Sequence, residues 1–177
     1  QVEWLGAISD MGSSQTRRLS VHERVDPEVH EKYHVGRRIG RGQYGVVFEA
    51  ESDEYDWHCA IKKIIHAFRN AGDAQRTYRE VSYLLEFAGH PNIISVRDVI
   101  CSKDDKHLYI CCDLMDGDLF KALRNTVLTP IHRALITYDL LRALKYIHSA
   151  GVVHRDVKPS NILLSTACEV KLADFGW

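Results

Sequence analysis

Near the end of this 177-residue chain, His154-Arg155-Asp156-Val157-Lys158-Pro159-Ser160-Asn161 is followed by Ile162-Leu163-Leu164, by Val170-Lys171-Leu172, and then by Asp174-Phe175-Gly176. This order sets a carboxylate on a loop, an amide shortly after it, and a second carboxylate just past the next apolar strand. Such a set suits Mg-ATP chemistry, in which a hydroxyl nucleophile needs an oriented carboxylate and the phosphates need cations held by oxygen ligands. Upstream stand a glycine-rich run, Gly40-Arg41-Gly42-Gln43-Tyr44-Gly45-Val46-Val47, and Ala60-Ile61-Lys62-Lys63. Each run is weak alone, but their joint order admits few folds.

Local patterning supplies the frame. Segments 33–39, 46–50 and 57–65 read as antiparallel strands separated by Gly-rich or acidic turns. A helix is expected over 73–87 with Asp73 as its N-cap, then strands near 93–100 and 106–112. Past residue 117 the pattern turns helical: Ile136, Leu140, Ala143, Leu144 and Ile147 recur at helical spacing up to Gly151. Short strands at 162–164 and 170–172 bracket the last loop. A β-rich half joined to a helical half predicts an α+β fold of two lobes with a cleft between them.

Composition narrows the classes. Lys plus Arg, 23, nearly balance Asp plus Glu, 24, so no global field draws the chain to nucleic acid or an acidic membrane. No apolar run reaches the length of a membrane span. The opening residues lack the pattern of a secretory signal. Cys59, Cys101, Cys111, Cys112 and Cys168 form no CxxC or zinc spacing, which reads as reduced thiols in a cytoplasmic or nuclear chain. His30 and His34 could share a helical face, but no third ligand stands nearby.

Residues 1–32 are read as a flexible extension. Within it, Met11-Gly12-Ser13-Ser14-Gln15-Thr16 fits the N-myristoylation pattern if translation starts at Met11, a chance match being the alternative. Arg17-Arg18-Leu19-Ser20 has the form of a site for a basic-directed kinase, or is simply polar tail.

Gly40, Gly42 and Gly45 remove side chains where backbone would approach phosphate. Glycines in a GxGxxG run also open dinucleotide-binding helices. Here Val46-Val47-Phe48 continues as a strand, which speaks against a dinucleotide-dependent oxidoreductase. Alternation in 57–65 puts Ala60, Lys62 and Ile64 on one face, with Lys62 suited to the α- and β-phosphates. Lys63 then points the other way and reads as a solvated surface charge. Thr77, Glu80, Val81, Leu84 and Ala88 share a helical stripe on which Glu80 is costly unless paired, and Lys62 is its natural partner. An edge-of-stripe glutamate reaching water is the alternative. Asp156 is the candidate catalytic base, Lys158 screens transferred charge, and Asn161 with Asp174 offers oxygens to Mg2+. His154 is read as structural.

With these motifs in place, residues 33–177 resemble the first half of a eukaryotic protein kinase. HRDVKPSN, with Lys158 after the aspartate, is similar to serine/threonine kinases. AIKKI, DAQRTYRE, GHPNII, DLMDGDL, LLRALKYIHSA and HRDVKPSNILL resemble mitogen-activated protein kinases. Val25-Asp26-Pro27 and AFR before DAQRT look closest to the atypical extracellular-signal-regulated branch, whose members autophosphorylate. The resemblance implies a kinase N-lobe over 33–115 and a partial C-lobe over 116–177. It implies ATP and Mg2+ as cofactors and protein substrates bearing Ser or Thr, proline-directed by family. Ile39, Val47, Ala60 and Leu163 would sandwich adenine, Asp113 and Met115 would offer hinge backbone, and Asp118 would approach the ribose. Arg79 and Arg155 would receive an activation-loop phosphothreonine. Cys112 takes the gatekeeper position, as a modifiable thiol or a buried inert one.

Trp177 stands where the family has leucine. The activation loop, its TxY site and the substrate-binding helices lie outside the sequence. The chain alone is therefore expected to be inactive and aggregation-prone, with Leu140, Leu144 and Ile147 exposed. A non-catalytic nucleotide-binding or partner-competing module is the second reading.

Overall fold

The computed structural model describes residues 24–42, 45–52, 54, 57–125, 128–167 and 169–176. Met11, Gly12, the Arg17–Ser20 run, Cys168 and Trp177 lie outside them. The described chain divides into two units, 24–82 with 95–114, and 83–94 with 115–176. Residues 83–94 thus go with those from Met115 onward.

In the first unit, β1 (Tyr33–Arg41), β2 (Gly45–Ser52), β3 (His58–Ile64), β4 (Val96–Cys101) and β5 (Leu108–Asp113) form an antiparallel sheet in the order β1-β2-β3-β5-β4. The meander read from the first three segments is therefore present. Gly45 is demanded by the sheet itself, because a Cβ there would stand 2.1 Å from the Lys63 carbonyl oxygen. The helix α2 (Ala71–Glu86) follows β3. Asp73 lies within its first turn, and Asn70 accepts the Asp73 N–H at 2.9 Å, so the helix starts ahead of the expected cap. Thr77, Glu80 and Leu84 are buried as their spacing predicts, whereas Ala88 lies past the helix and is exposed. Phe87 takes the buried place instead.

Two expectations are corrected in this unit. Pro27–His30, placed in the flexible extension, is a short helix, α1, with Val29 fully buried. Val29 joins a cluster with Tyr33, Ala50, Cys59, Ile61, Tyr109 and Cys111 on one face of the sheet. Lys63, read as solvated, is 1% exposed. Alternation set its direction correctly, but the segment before β1 covers that face.

The second unit holds β6 (Gly117–Asp118), α3 (Leu119–Asn125), α4 (Pro130–Ser149), β7 (Ile162–Leu164) and β8 (Val170–Leu172), the strands pairing in the order β6-β7-β8. Thr129 caps α4, accepting the His132 N–H at 3.3 Å, and Pro130 fills the first turn, where no amide donor is missed. The expected strand over 93–100 is split. Ile94 N–H donates to the Leu172 carbonyl and Leu172 N–H to the Asn92 carbonyl, so this stretch runs parallel to β8, while β4 starts at Val96. Asn92 secures it by donating to the Val170 carbonyl at 3.0 Å.

α4 packs against β8, burying Ile136, Ala143 and Ile147. The expected exposure of Ile147 is therefore wrong, and Leu140 and Leu144 are half-buried. Ile131, Tyr138, Leu141 and Tyr146 of this helix are exposed on its other sides, because β8 occupies the stripe. No described helix is long and apolar enough to cross a membrane.

Candidate active site

The sheet's register brings together the first group of candidate residues. Gly40 pairs with Val47 and Val47 with Lys62, which lays glycine, valine and lysine along one row across three strands. Ala60 pairs with Cys112 two positions further on. Lys62 Nζ donates to Glu80 Oε1 at 2.5 Å, with the glutamate side chain 7% exposed and the lysine 24%. The carboxylate on the apolar stripe is paired as the cost of burying it requires, and the pairing aims the lysine. Gly42 N–H donates to the Gly45 carbonyl at 2.9 Å, closing the tip of the glycine hairpin. Nothing lies within 4 Å of a Cβ built on Gly42, so unlike Gly45 it owes its identity to no described neighbour. Gln43 and Tyr44 lie outside the described residues.

Ile39 and Val47 are half-buried, while Ala60 is buried. Asp113 donates its backbone N–H to the Ser95 carbonyl at 3.2 Å, so that donor is engaged. Its carboxylate meets Arg97 at 2.9 Å. Burial pushes the Cys112 thiol up to about 12, and its S–H donates to the Ala60 carbonyl, which fits the inert reading of this cysteine. The described cysteines Cys59, Cys101, Cys111 and Cys112 form no disulfides.

The second unit builds the loop that carries the other acids. Asn161 donates its amide to both the Asp156 carbonyl and Asp156 Oδ2 at 2.9 Å. Lys158 Nζ reaches the same Oδ2 at 2.7 Å. Lys158 N-caps a single 3-10 turn, Pro159–Asn161, which returns Asn161 to the aspartate. His154 is buried and ties the loop to the second acid: Nε2–H donates to the Ala173 carbonyl at 3.1 Å, and Nδ1 accepts the Asp156 N–H at 3.3 Å. Its ring lies 4.6 Å from that of Phe175. Phe175 also meets Tyr83 and Phe87, at centroid distances of 6.4 and 6.0 Å. Asp174 and Arg155 hold φ of 69° and 68°, a left-handed backbone that residues with a Cβ adopt where surroundings impose it.

Asp118 caps α3, accepting the Lys121 N–H at 2.8 Å, a structural task that spacing alone did not assign. Leu163 and Met115 are half-buried in this unit, Arg155 is exposed, and Arg79 belongs to the first unit.

The oxygens suit magnesium. With its NH2 spent on Asp156, the Asn161 side chain has its carbonyl oxygen to give a cation, and Asp174 adds a carboxylate. Among the described residues no cluster of three or more His, Cys, Asp or Glu could hold a metal alone.

The His154 contacts predict a pH effect. Burial lowers its pKa below the ordinary value of about 6.5, so it is neutral in the fold. The unfolded chain takes up the proton first as pH falls. This stabilising share is complete above about pH 6.5 and is lost as pH drops toward the folded value, at up to about 1.4 kcal/mol per pH unit. His90 and His107 are lowered by burial in the same sense. Urea midpoints should fall between pH 7.5 and 5.5, and His154→Asn should flatten that dependence.

A model of the protein kinase domain matches residues 33–177. The chain belongs to the protein kinase domain family. It is 47% identical over 154 residues to extracellular signal-regulated kinase 2 of Dictyostelium discoideum, covering 87% of this chain and 42% of that protein. To mitogen-activated protein kinase 15 of Rattus norvegicus it is 50% identical over 153 residues, 86% of this chain and 28% of the relative. To extracellular signal-regulated kinase 7 of Drosophila melanogaster it is 40% identical over 164 residues, 92% of this chain and 18% of the relative. This kinase chain thus spans less than half the length of these curated relatives. The resemblance read from the motifs is the one the comparisons find, and the α+β kinase fold agrees with it.

Proposed function

We propose that the whole protein transfers the γ-phosphoryl group of ATP to serine or threonine hydroxyls of protein substrates, in mitogen-activated-kinase signalling. The observation that carries this reading is the Asp156 carboxylate, held on one oxygen by both Lys158 and Asn161. An acid positioned this way can take the proton of an attacking hydroxyl while Lys158 stands ready to stabilise charge on the transferred group. Lys62, aimed by Glu80, addresses the α- and β-phosphates. Asn161 and Asp174 hold Mg2+, which when bound neutralises phosphate charge and polarises the group being transferred. Ile39, Val47, Ala60 and Leu163 contact adenine, the Asp113 carbonyl and Met115 backbone bond its edge, and Asp118 approaches the ribose. Arg79 and Arg155 pair with a phosphothreonine. Proline-directed choice of site, and a cytoplasmic or nuclear setting, follow from the likeness to the mitogen-activated relatives.

The test is Asp156→Ala in the full-length protein. Phosphotransfer should fall by at least a hundredfold, with ATP affinity retained within about threefold, since general-base steps contribute on the order of 10²–10⁴. Equal phosphotransfer in the variant contradicts the assignment. The second reading, a nucleotide-binding module without catalysis, is favoured instead if the unaltered protein binds ATP but transfers nothing.

A further inference from the structure

Lys63 is a cation sealed into the first unit. It stands on the face of β3 opposite Lys62, and residues 24–32 close over it. Its Nζ donates to the Arg24 carbonyl at 2.6 Å and lies 3.7 Å from Asp26 Oδ2. It also stands 5.4 Å from the centroid of the Tyr109 ring. Tyr109 is the cross-strand partner of Lys63. Its hydroxyl donates to Asp26 Oδ2 at 2.6 Å and accepts the Asp26 N–H at 3.0 Å. Further along, Val29 plugs the apolar cluster, Lys103 stands 3.7 Å from both Glu28 and Glu31, and Lys32 pairs with Asp98 at 2.9 Å.

These contacts are interdependent. A helix of four residues has no stability of its own, so α1 exists because its flanks are fastened. A buried ammonium is costly without acceptors, and the closing segment supplies both the carbonyl and the carboxylate. Burial lowers the Lys63 pKa while Asp26 opposes that shift, as expected of a cation kept charged by what covers it. If the segment lifts, Lys63 gains water and Val29 leaves its socket, so attached and detached forms are distinct. Asp26 makes no side-chain capping bond to α1, hence its carboxylate serves the fastening and not the helix.

The geometry points to a detachable strap, residues 24–32, buckled by Lys63 and Tyr109, which clamps β3 onto β5 behind Lys62. The rung Lys63–Tyr109 adjoins the rung Lys62–Ile110, so loosening the first loosens the hold on the second. The strap itself stands on contacts alone. Its effect on nucleotide rests on the proposed function.

Hydrogen–deuterium exchange on the full-length protein tests it, comparing wild type with Lys63→Met and Asp26→Ala. Amides of 26–32 should exchange at least tenfold faster in both variants and those of β3 and β5 severalfold faster, with α4 unchanged. Unchanged protection of 26–32 in both variants overturns the strap, and a released strap with β3 and β5 unaltered overturns the clamp. If Lys63→Met also accelerates α4, that variant has unfolded globally and Asp26→Ala decides. In the same samples Mg-ATP affinity should fall at least threefold, and strap release without that fall overturns the link to Lys62. A wild type that does not bind Mg-ATP contradicts the proposed function, and the exchange rates still decide the strap.

Discussion

Lys62→Met should cost about 3 kcal/mol of stability and at least tenfold in ATP affinity, and the two losses should separate. Glu80 is buried and its carboxylate bonds Lys62. Breaking a buried pair from one side costs about 3–5 kcal/mol, because the remaining charge keeps its desolvation penalty. The lower end applies here since the lysine retains some contact with water. Replacing both partners by apolar groups of similar volume is often close to neutral. Lys62→Met/Glu80→Leu should therefore recover most of the stability, read from urea midpoints, but none of the affinity. Recovery of affinity in the double variant would contradict a phosphate-binding role for Lys62.

Phe175→Ala should be at least as damaging to the fold. The ring is 1% exposed and packs among His154, Tyr83 and Phe87. Phe87 in turn meets Tyr146 at a centroid distance of 5.8 Å. Truncating a buried phenylalanine costs about 3–5 kcal/mol through lost burial and the cavity left behind. That is a large part of the about 5–15 kcal/mol that holds a typical domain together. Phe120→Ala is the control, since that ring is half-exposed and should change stability by under about 1 kcal/mol. Equal urea midpoints for the two variants would contradict the packing described for Phe175.

Much of this fold was legible where a local period decided it. The strands at 162–164 and 170–172 have the expected bounds, and the Ile136, Ala143, Ile147 stripe is buried as its spacing requires. The Lys62–Glu80 pair was readable because a carboxylate on an apolar stripe demands a cation. What escaped depended on distant neighbours. Alternation gave the direction of Lys63 but could not show that residues 24–29 cover it. The split at residue 95 escaped because 92–94 find their partners on β8, nearly eighty positions later. Ile147 was expected to be exposed for want of the remaining helical lobe, whereas β8, within this chain, packs against α4 and Ile147 is buried. The left-handed backbones of Arg155 and Asp174 left no signal in residue type. The cap role of Asp118 could have been found, since an aspartate directly before a helix is a standard N-cap sign.

The most direct measurement is a calorimetric titration of the full-length protein with ATP, with and without Mg2+, repeated on Asp174→Asn. Saturable binding should strengthen at least tenfold with Mg2+ and lose that gain in the variant, which removes the carboxylate proposed for the metal. Binding indifferent to Mg2+, or unchanged in Asp174→Asn, would contradict the assignment of these residues to Mg-ATP.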